Sequence, residues 1–152
     1  MKMKWIFTAI VLMATTTAYA GTPTIEEQVC FDAVNAMRAK TGLPPFVFSA
    51  ELSEGCRSWS ATLREKGRLY HAQPYENCAC GHTAGTATFK QWYNSSGHRA
   101  LLLHRSAAEA GIGCDGTYWT FRVKAKARES VTSPVEAGVV PKVRVSRRHC
   151  CR

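Results

Sequence analysis

The pattern of apolar and polar positions changes period once along the chain, from helical spacing to short alternating runs. Ile25, Val29, Ala33 and Met37 recur every fourth residue, the spacing that stacks side chains on one side of a helix. Thr24 and Glu27 stand at capping-box spacing, each able to satisfy a backbone amide at a helix start, and Gly42 with Pro44-Pro45 stops the run. These signals predict a first helix over about 25–40. Ser49 is the N-cap of a second, predicted over about 50–66, with an inward stripe of Leu52, Cys56, Trp59, Ser60 and Leu63 and a stop at Gly67. From Tyr70 the pieces shorten. A strand is expected over 75–80, a Gly/Thr/Ala-rich loop over 81–88, a third helix over about 87–94 with Phe89 and Trp92 inward, and a short helix from Ser96 through Leu103. Gly111 to Cys114 and Tyr118 to Val123 form a hairpin around Asp115-Gly116, and a further strand is expected at 139–145.

The ends of the chain differ in character from this body. Lys2 and Lys4 precede a short apolar run, Trp5 to Met13, and Ala18-Tyr19-Ala20 is a small-residue cleavage site, so residues 1–20 are expected to be an export signal. The net charge of +9 is unevenly spread. Eight of the 20 Lys/Arg lie from Lys124 onward against only Glu129 and Glu136, whereas residues 21–123 carry ten basic side chains against nine acidic. The expected organisation is therefore a signal at 1–20, one domain at 21–123 and a basic extension at 124–152. Charge in an extension suits loose attraction to anionic surfaces, and a folded basic face for sequence-specific nucleic acid is not expected. Export also sets the redox state. The seven cysteines (Cys30, Cys56, Cys78, Cys80, Cys114, Cys150 and Cys151) are expected to form disulfides, with one left over, and their spacing selects no connectivity.

Within the body, His71, Glu76, His98 and Glu109 fall near the ends of predicted elements. Imidazole ligates metals or moves protons near neutral pH, and a carboxylate orients or balances it. Taken singly, each is an ordinary surface or capping residue. The ordered series is more informative: Asn35-x-x-Arg38, Gly42-Leu43-Pro44-Pro45, Leu52, Trp59, His71, Glu76-Asn77, Trp92, Ser96-Gly97-His98-Arg99, Gly111-Ile112-Gly113 and Tyr118-Trp119-Thr120. It resembles the CAP superfamily (cysteine-rich secretory proteins, antigen 5 and pathogenesis-related proteins), most closely its bacterial SCP-like branch, over residues 25–123.

The resemblance implies an α+β fold, an α/β/α sandwich with a small antiparallel sheet between helices, and an open cleft of histidine and acid. His71 looks like the family's first cleft histidine, and Glu76 like the acid of its Glu-Asn motif. His98 matches the bacterial Gly-His-Arg histidine, and Glu109 the acid before Gly-x-Gly. Where eukaryotic members carry a second glutamate and a second histidine, this chain has Ser95 and Tyr118, and Leu101 replaces the bacterial branch's usual asparagine. The metal-competent set is thus reduced to His71, Glu76 and His98, suited to zinc or another divalent cation. Cys78-Ala79-Cys80-Gly81-His82 offers a further metal clip whose thiols are expected to be oxidised instead, and His82 and His104 are expected at the surface.

Three functions compete. The first is a secreted, non-enzymatic interaction module, for which the resemblance implies lipid, sterol, glycan or protein ligands. The second is a secreted hydrolase, against which the chain has no Gly-x-Ser-x-Gly elbow and places Cys56 on a buried stripe. The third is a cationic envelope-active protein working through its basic tail.

Overall fold

The capping box at Thr24 and Glu27 forms as the spacing predicts. Thr24 N donates to Glu27 Oε2 at 2.8 Å and Glu27 N donates to Thr24 Oγ1 at 3.2 Å, which opens α1 (Ile25–Lys40). The structure, a computed structural model, describes residues 21–125. The expected export signal, Cys150, Cys151, the strand at 139–145 and most of the basic extension lie outside the described residues. The remaining elements are β1 (Val47–Phe48), α2 (Ala50–Lys66), β2 (Glu76–Cys80), α3 (Gly85–Asn94), α4 (Ser96–Leu102), β3 (Ala107–Asp115) and β4 (Tyr118–Ala125). Helix α2 begins on the Ser49 cap and ends where Gly67 takes φ +62, a left-handed stop that glycine adopts at no steric cost.

The strands form one sheet in the order β1-β3-β4-β2. Pairing is antiparallel from β3 through β4 to β2, but β1, which the sequence did not announce, pairs parallel with β3 through Val47 and Glu109. The sheet is therefore mixed rather than wholly antiparallel. Its alternation separates two layers. Ala110, Ile112, Trp119, Phe121 and Val123 join Cys30, Phe31 and Val34 of α1, Trp92 of α3, and Leu101 and Leu102 of α4 in one apolar core. On the opposite face Gly111 and Gly113 bring the sheet against α2, because a Cβ on either would run into the helix backbone at Ser53 or Cys56-Arg57.

Two expectations change, one about α1 and one about the cysteines. The row Ile25, Val29, Ala33 and Met37 is not the buried one: Ile25 is 81% exposed, while Glu27, Cys30, Phe31, Val34 and Arg38 face inward. Glu27 is tolerated there because Arg57 makes a bidentate pair with it and Cys114 N donates to its Oε1 at 3.0 Å. Arg38 donates from Nε to the Pro44 carbonyl and from Nη1 to the Leu102 and His104 carbonyls, and its guanidinium lies 3.5 Å over the Phe46 ring. With Asn35, which exchanges two hydrogen bonds with the Phe46 backbone, it clasps the Gly42–Pro45 turn and the end of α4 onto α1. The expected disulfides are absent among the described residues, where Cys30, Cys56, Cys78, Cys80 and Cys114 are free thiols.

Candidate functional site

The first residue of β2 organises the site. Glu76 pairs across the ladder with Arg122, and cross-strand neighbours on one face are close enough for opposite charges to meet. Its Oε2 receives Arg122 Nε at 2.7 Å and Nη2 at 2.7 Å, and the Glu76 side chain is wholly buried. Room for the guanidinium comes from α2, where Gly55 would place a Cβ 3.0 Å from Arg122 Nη1. The other carboxylate oxygen faces the loop before the strand. Ala72 N donates to Oε1 at 2.9 Å, His71 Nδ1 lies 3.4 Å from it, and the Cys78 thiol, two residues along the same strand face, donates to it at 3.4 Å. Cys78 Sγ is also 3.8 Å from His71 Nδ1. His71 is 56% exposed, so this buried carboxylate and thiol open to solvent through one imidazole.

The neighbouring residue Asn77 points to the other face and donates from Nδ2 to the His98 carbonyl at 2.9 Å, tying α4 to β2. His98 is held below the usual histidine range by burial and by the charge of nearby His71. Its Nδ1 is buried without a hydrogen-bond partner. His71 and Glu76 thus meet at the start of β2, while His98 sits on α4, tied by its carbonyl to Asn77 and near enough to His71 for that ring's charge to act on it. Glu109 stays apart: it lies on β3 in register with Val47 and Lys124, outside the contacts that join His71, Glu76 and Cys78. The strand order explains the separation, since β4 runs between β3 and β2.

Beside this cluster, between the start of β2 and α4, lies a cavity of about 330 Å³ lined by Tyr75, Glu76, Asn77, Gly97, Ala100, Leu101 and His104. Tyr75, at φ 60 the only non-glycine in the left-handed region among the described residues, sets its ring edge-on to His104 at 5.5 Å. A tyrosine held in that region stores backbone strain, which concentrates at ligand sites. His104 is not the surface residue the sequence suggested: it lines the cavity, and its Nδ1 is buried without a partner. His82 is exposed as expected, and its carbonyl accepts from Trp119 Nε1 at 2.7 Å. Four of the five described thiols are poor nucleophiles. Burial pushes Cys30, Cys56 and Cys78 up to about 12 and Cys114 up to about 11.

Sequence reasoning missed Arg122 and His104 as site residues, and it placed Cys78 in a clip with Cys80 and His82 rather than with His71 and Glu76. An opposite-charge pair at matching positions of two predicted strands was the available signal for Arg122, but pairing the strands required knowing their order. No helix among the described residues is long and apolar enough to cross a membrane.

Comparison with known proteins agrees with this architecture. A curated relative, "Uncharacterized protein YkwD" of Bacillus subtilis (strain 168), is 28% identical over 127 residues, which cover 70% of this chain and 49% of that protein. The chain therefore spans about half the length of that relative. Among solved structures, an extracellular SCP-domain protein from Bacillus anthracis superposes with TM-score 0.63 at 23% identity, covering 66% of this chain and 40% of the other. An outer surface protein from Borrelia burgdorferi superposes with TM-score 0.57 at 16% identity, covering 69% and 97%. At these identities the structures bear on the fold alone. The profile of the cysteine-rich secretory protein family, CAP, matches residues 31–121, well over half of the chain, and the chain belongs to that family.

Proposed function

We propose that the chain is a secreted, non-enzymatic interaction module that takes its ligand at the mouth formed by β2 and α4. The carrying observation is the cavity of about 330 Å³, walled by Tyr75, Ala100 and Leu101 and edged by the polar groups of Asn77 and His104. Apolar walls with a few polar groups suit a small amphiphile, a class that includes lipid and sterol, or an exposed apolar side chain of a protein or glycan surface. The chemistry around it favours binding over turnover. Both Glu76 oxygens are engaged by Arg122, Ala72 and Cys78, which leaves the carboxylate poorly placed to exchange protons with a substrate.

Native mass spectrometry of the purified protein exposed to a total lipid extract tests this reading. A retained small molecule that is lost when Leu101→Trp fills the cavity supports it. Failure of both the parent and the variant to retain any lipid removes the lipid form of the proposal. Ester or glycoside hydrolysis that disappears with His71→Ala would replace binding with catalysis.

A further inference from the structure

We propose that His71 Nδ1, Glu76 Oε1 and Cys78 Sγ form a tetrahedral site for a soft divalent cation of the zinc type, with the thiol and not His98 as the third ligand. The three atoms lie within 4.8 Å of one another. In a tetrahedral zinc site the bonds to nitrogen and oxygen are about 2.0–2.1 Å and the bond to sulfur about 2.3 Å, which sets ligand-to-ligand edges of roughly 3.4 Å between nitrogen and oxygen and roughly 3.6 Å to sulfur. Here the edges are 3.4 Å from His71 to Glu76, 3.4 Å from Glu76 to Cys78 and 3.8 Å from Cys78 to His71. The triangle already has nearly the dimensions of one face of that polyhedron, so an ion at its apex would require only small movements.

The surroundings match the donor set. Arg122 occupies Oε2 and fixes the plane of the carboxylate, the orienting role that groups behind a metal ligand perform. Ala72 N takes one lone pair of Oε1 and leaves the other toward His71 and Cys78. Glu76 and Cys78 project to one face because they are alternate residues of β2, a placement the strand imposes whether or not an ion is bound. His71 is the exposed member and the route of entry, and the fourth position is open for water or a ligand group. On binding, the Cys78 proton leaves to solvent and the cation takes its place on sulfur, with no oxidation involved. Nitrogen, oxygen and sulfur together favour zinc over magnesium or calcium, which require oxygen ligands. The metal site shares Glu76 with the lining of the cavity, but none of the apolar cavity walls contributes a ligand atom.

Cobalt(II) titration of the purified protein, with its thiols reduced and oxygen excluded, reads the ligand set directly through the thiolate-to-cobalt charge-transfer absorption and the visible bands of tetrahedral cobalt. One equivalent should develop both, and zinc should displace it. Cys78→Ser should remove the charge-transfer absorption and weaken binding at least tenfold. His71→Ala should weaken binding at least tenfold, and His98→Ala should leave it unchanged. Absence of the charge-transfer absorption in the parent, its survival in Cys78→Ser, or its loss in His98→Ala each overturns the assignment. Should Cys78→Ser melt well below the parent without metal, His71→Ala, at an exposed position, decides alone: an undiminished cobalt spectrum overturns the site.

Discussion

Arg122 and Glu76 face each other across the β2–β4 ladder, two nitrogens on one oxygen at 2.7 Å, with the carboxylate buried and the guanidinium 12% exposed. The pair fixes the end of β2 on which the whole site depends. Removing one partner leaves the other charge without compensation in a dry environment, which costs about 3–5 kcal/mol, whereas replacing both costs much less. Arg122→Leu should therefore destabilise the domain by about 3 kcal/mol in urea unfolding, and Glu76→Gln combined with Arg122→Leu should recover a substantial part of it. A single-variant loss under about 1 kcal/mol would mean that solvent reaches the pair.

The second buried carboxylate predicts an acid limb. Burial is the largest influence on Glu27 and on its own would raise it, but the Arg57 hydrogen bonds, the Thr24 and Cys114 backbone donors and the Arg57 charge outweigh burial and hold it below the ordinary carboxylate value. A group lowered on folding contributes stability above its unfolded value, about 4.3 for a free glutamate, and that contribution drains away as pH falls through the folded value. Stability should decline below about pH 4.5 in the parent, and Glu27→Gln should flatten that limb while costing roughly 2 kcal/mol at pH 7. A limb of unchanged steepness in Glu27→Gln would assign it to other carboxylates.

The helix limits were legible because their signals are local: the Thr24–Glu27 box, the Ser49 cap and Gly67 act within one turn of the residues they terminate. The buried face of α1 was not, since it runs through Glu27 and Arg38, whose burial depends on Arg57, thirty residues away, and on carbonyls beyond residue 100. Strand β1 is two residues long and exists through its pairing with β3, so its sequence carries too little periodicity to announce it. The meeting of His71 with Glu76 was legible through family resemblance. Cys78 was legible as a clip residue, but its meeting with His71 depends on the loop before β2, and the inward placing of His104 depends on the packing around α4.

Gly111 and Gly113 appear in the sequence as a short motif, and the structure gives the reason for both. Their missing side chains let α2 lie on the sheet, and a methyl group at either position would meet backbone atoms that cannot rotate away. Ser60 Oγ, donating to the Gly113 carbonyl at 3.0 Å, depends on that approach. Overpacking of this kind costs about 1–3 kcal/mol and sometimes more. Gly111→Ala and Gly113→Ala should each lower stability by about 3 kcal/mol, whereas Gly97→Ala, where a Cβ meets nothing within 4 Å, should change it little. Equal effects at all three positions would refute the close-approach argument.

The sharpest test of the site's geometry is the titration of His98. Burial first, and then the charge on His71, hold its ring below the ordinary histidine value of about 6.5, so that it is neutral at pH 7. Two-dimensional NMR of the imidazole resonances should place its midpoint below that value. His71→Ala removes the second influence and keeps most of the first, so the His98 midpoint should move upward without reaching the value of a free histidine. A histidine lowered on folding resists protonation in the native state, so its contribution to stability is present above about pH 6.5 and is lost as pH falls through the folded value. The parent should lose stability on acidification through that window, and His71→Ala should lose less. A His98 midpoint that does not respond to His71→Ala would place the two rings too far apart to share one face and would remove His98 from the site.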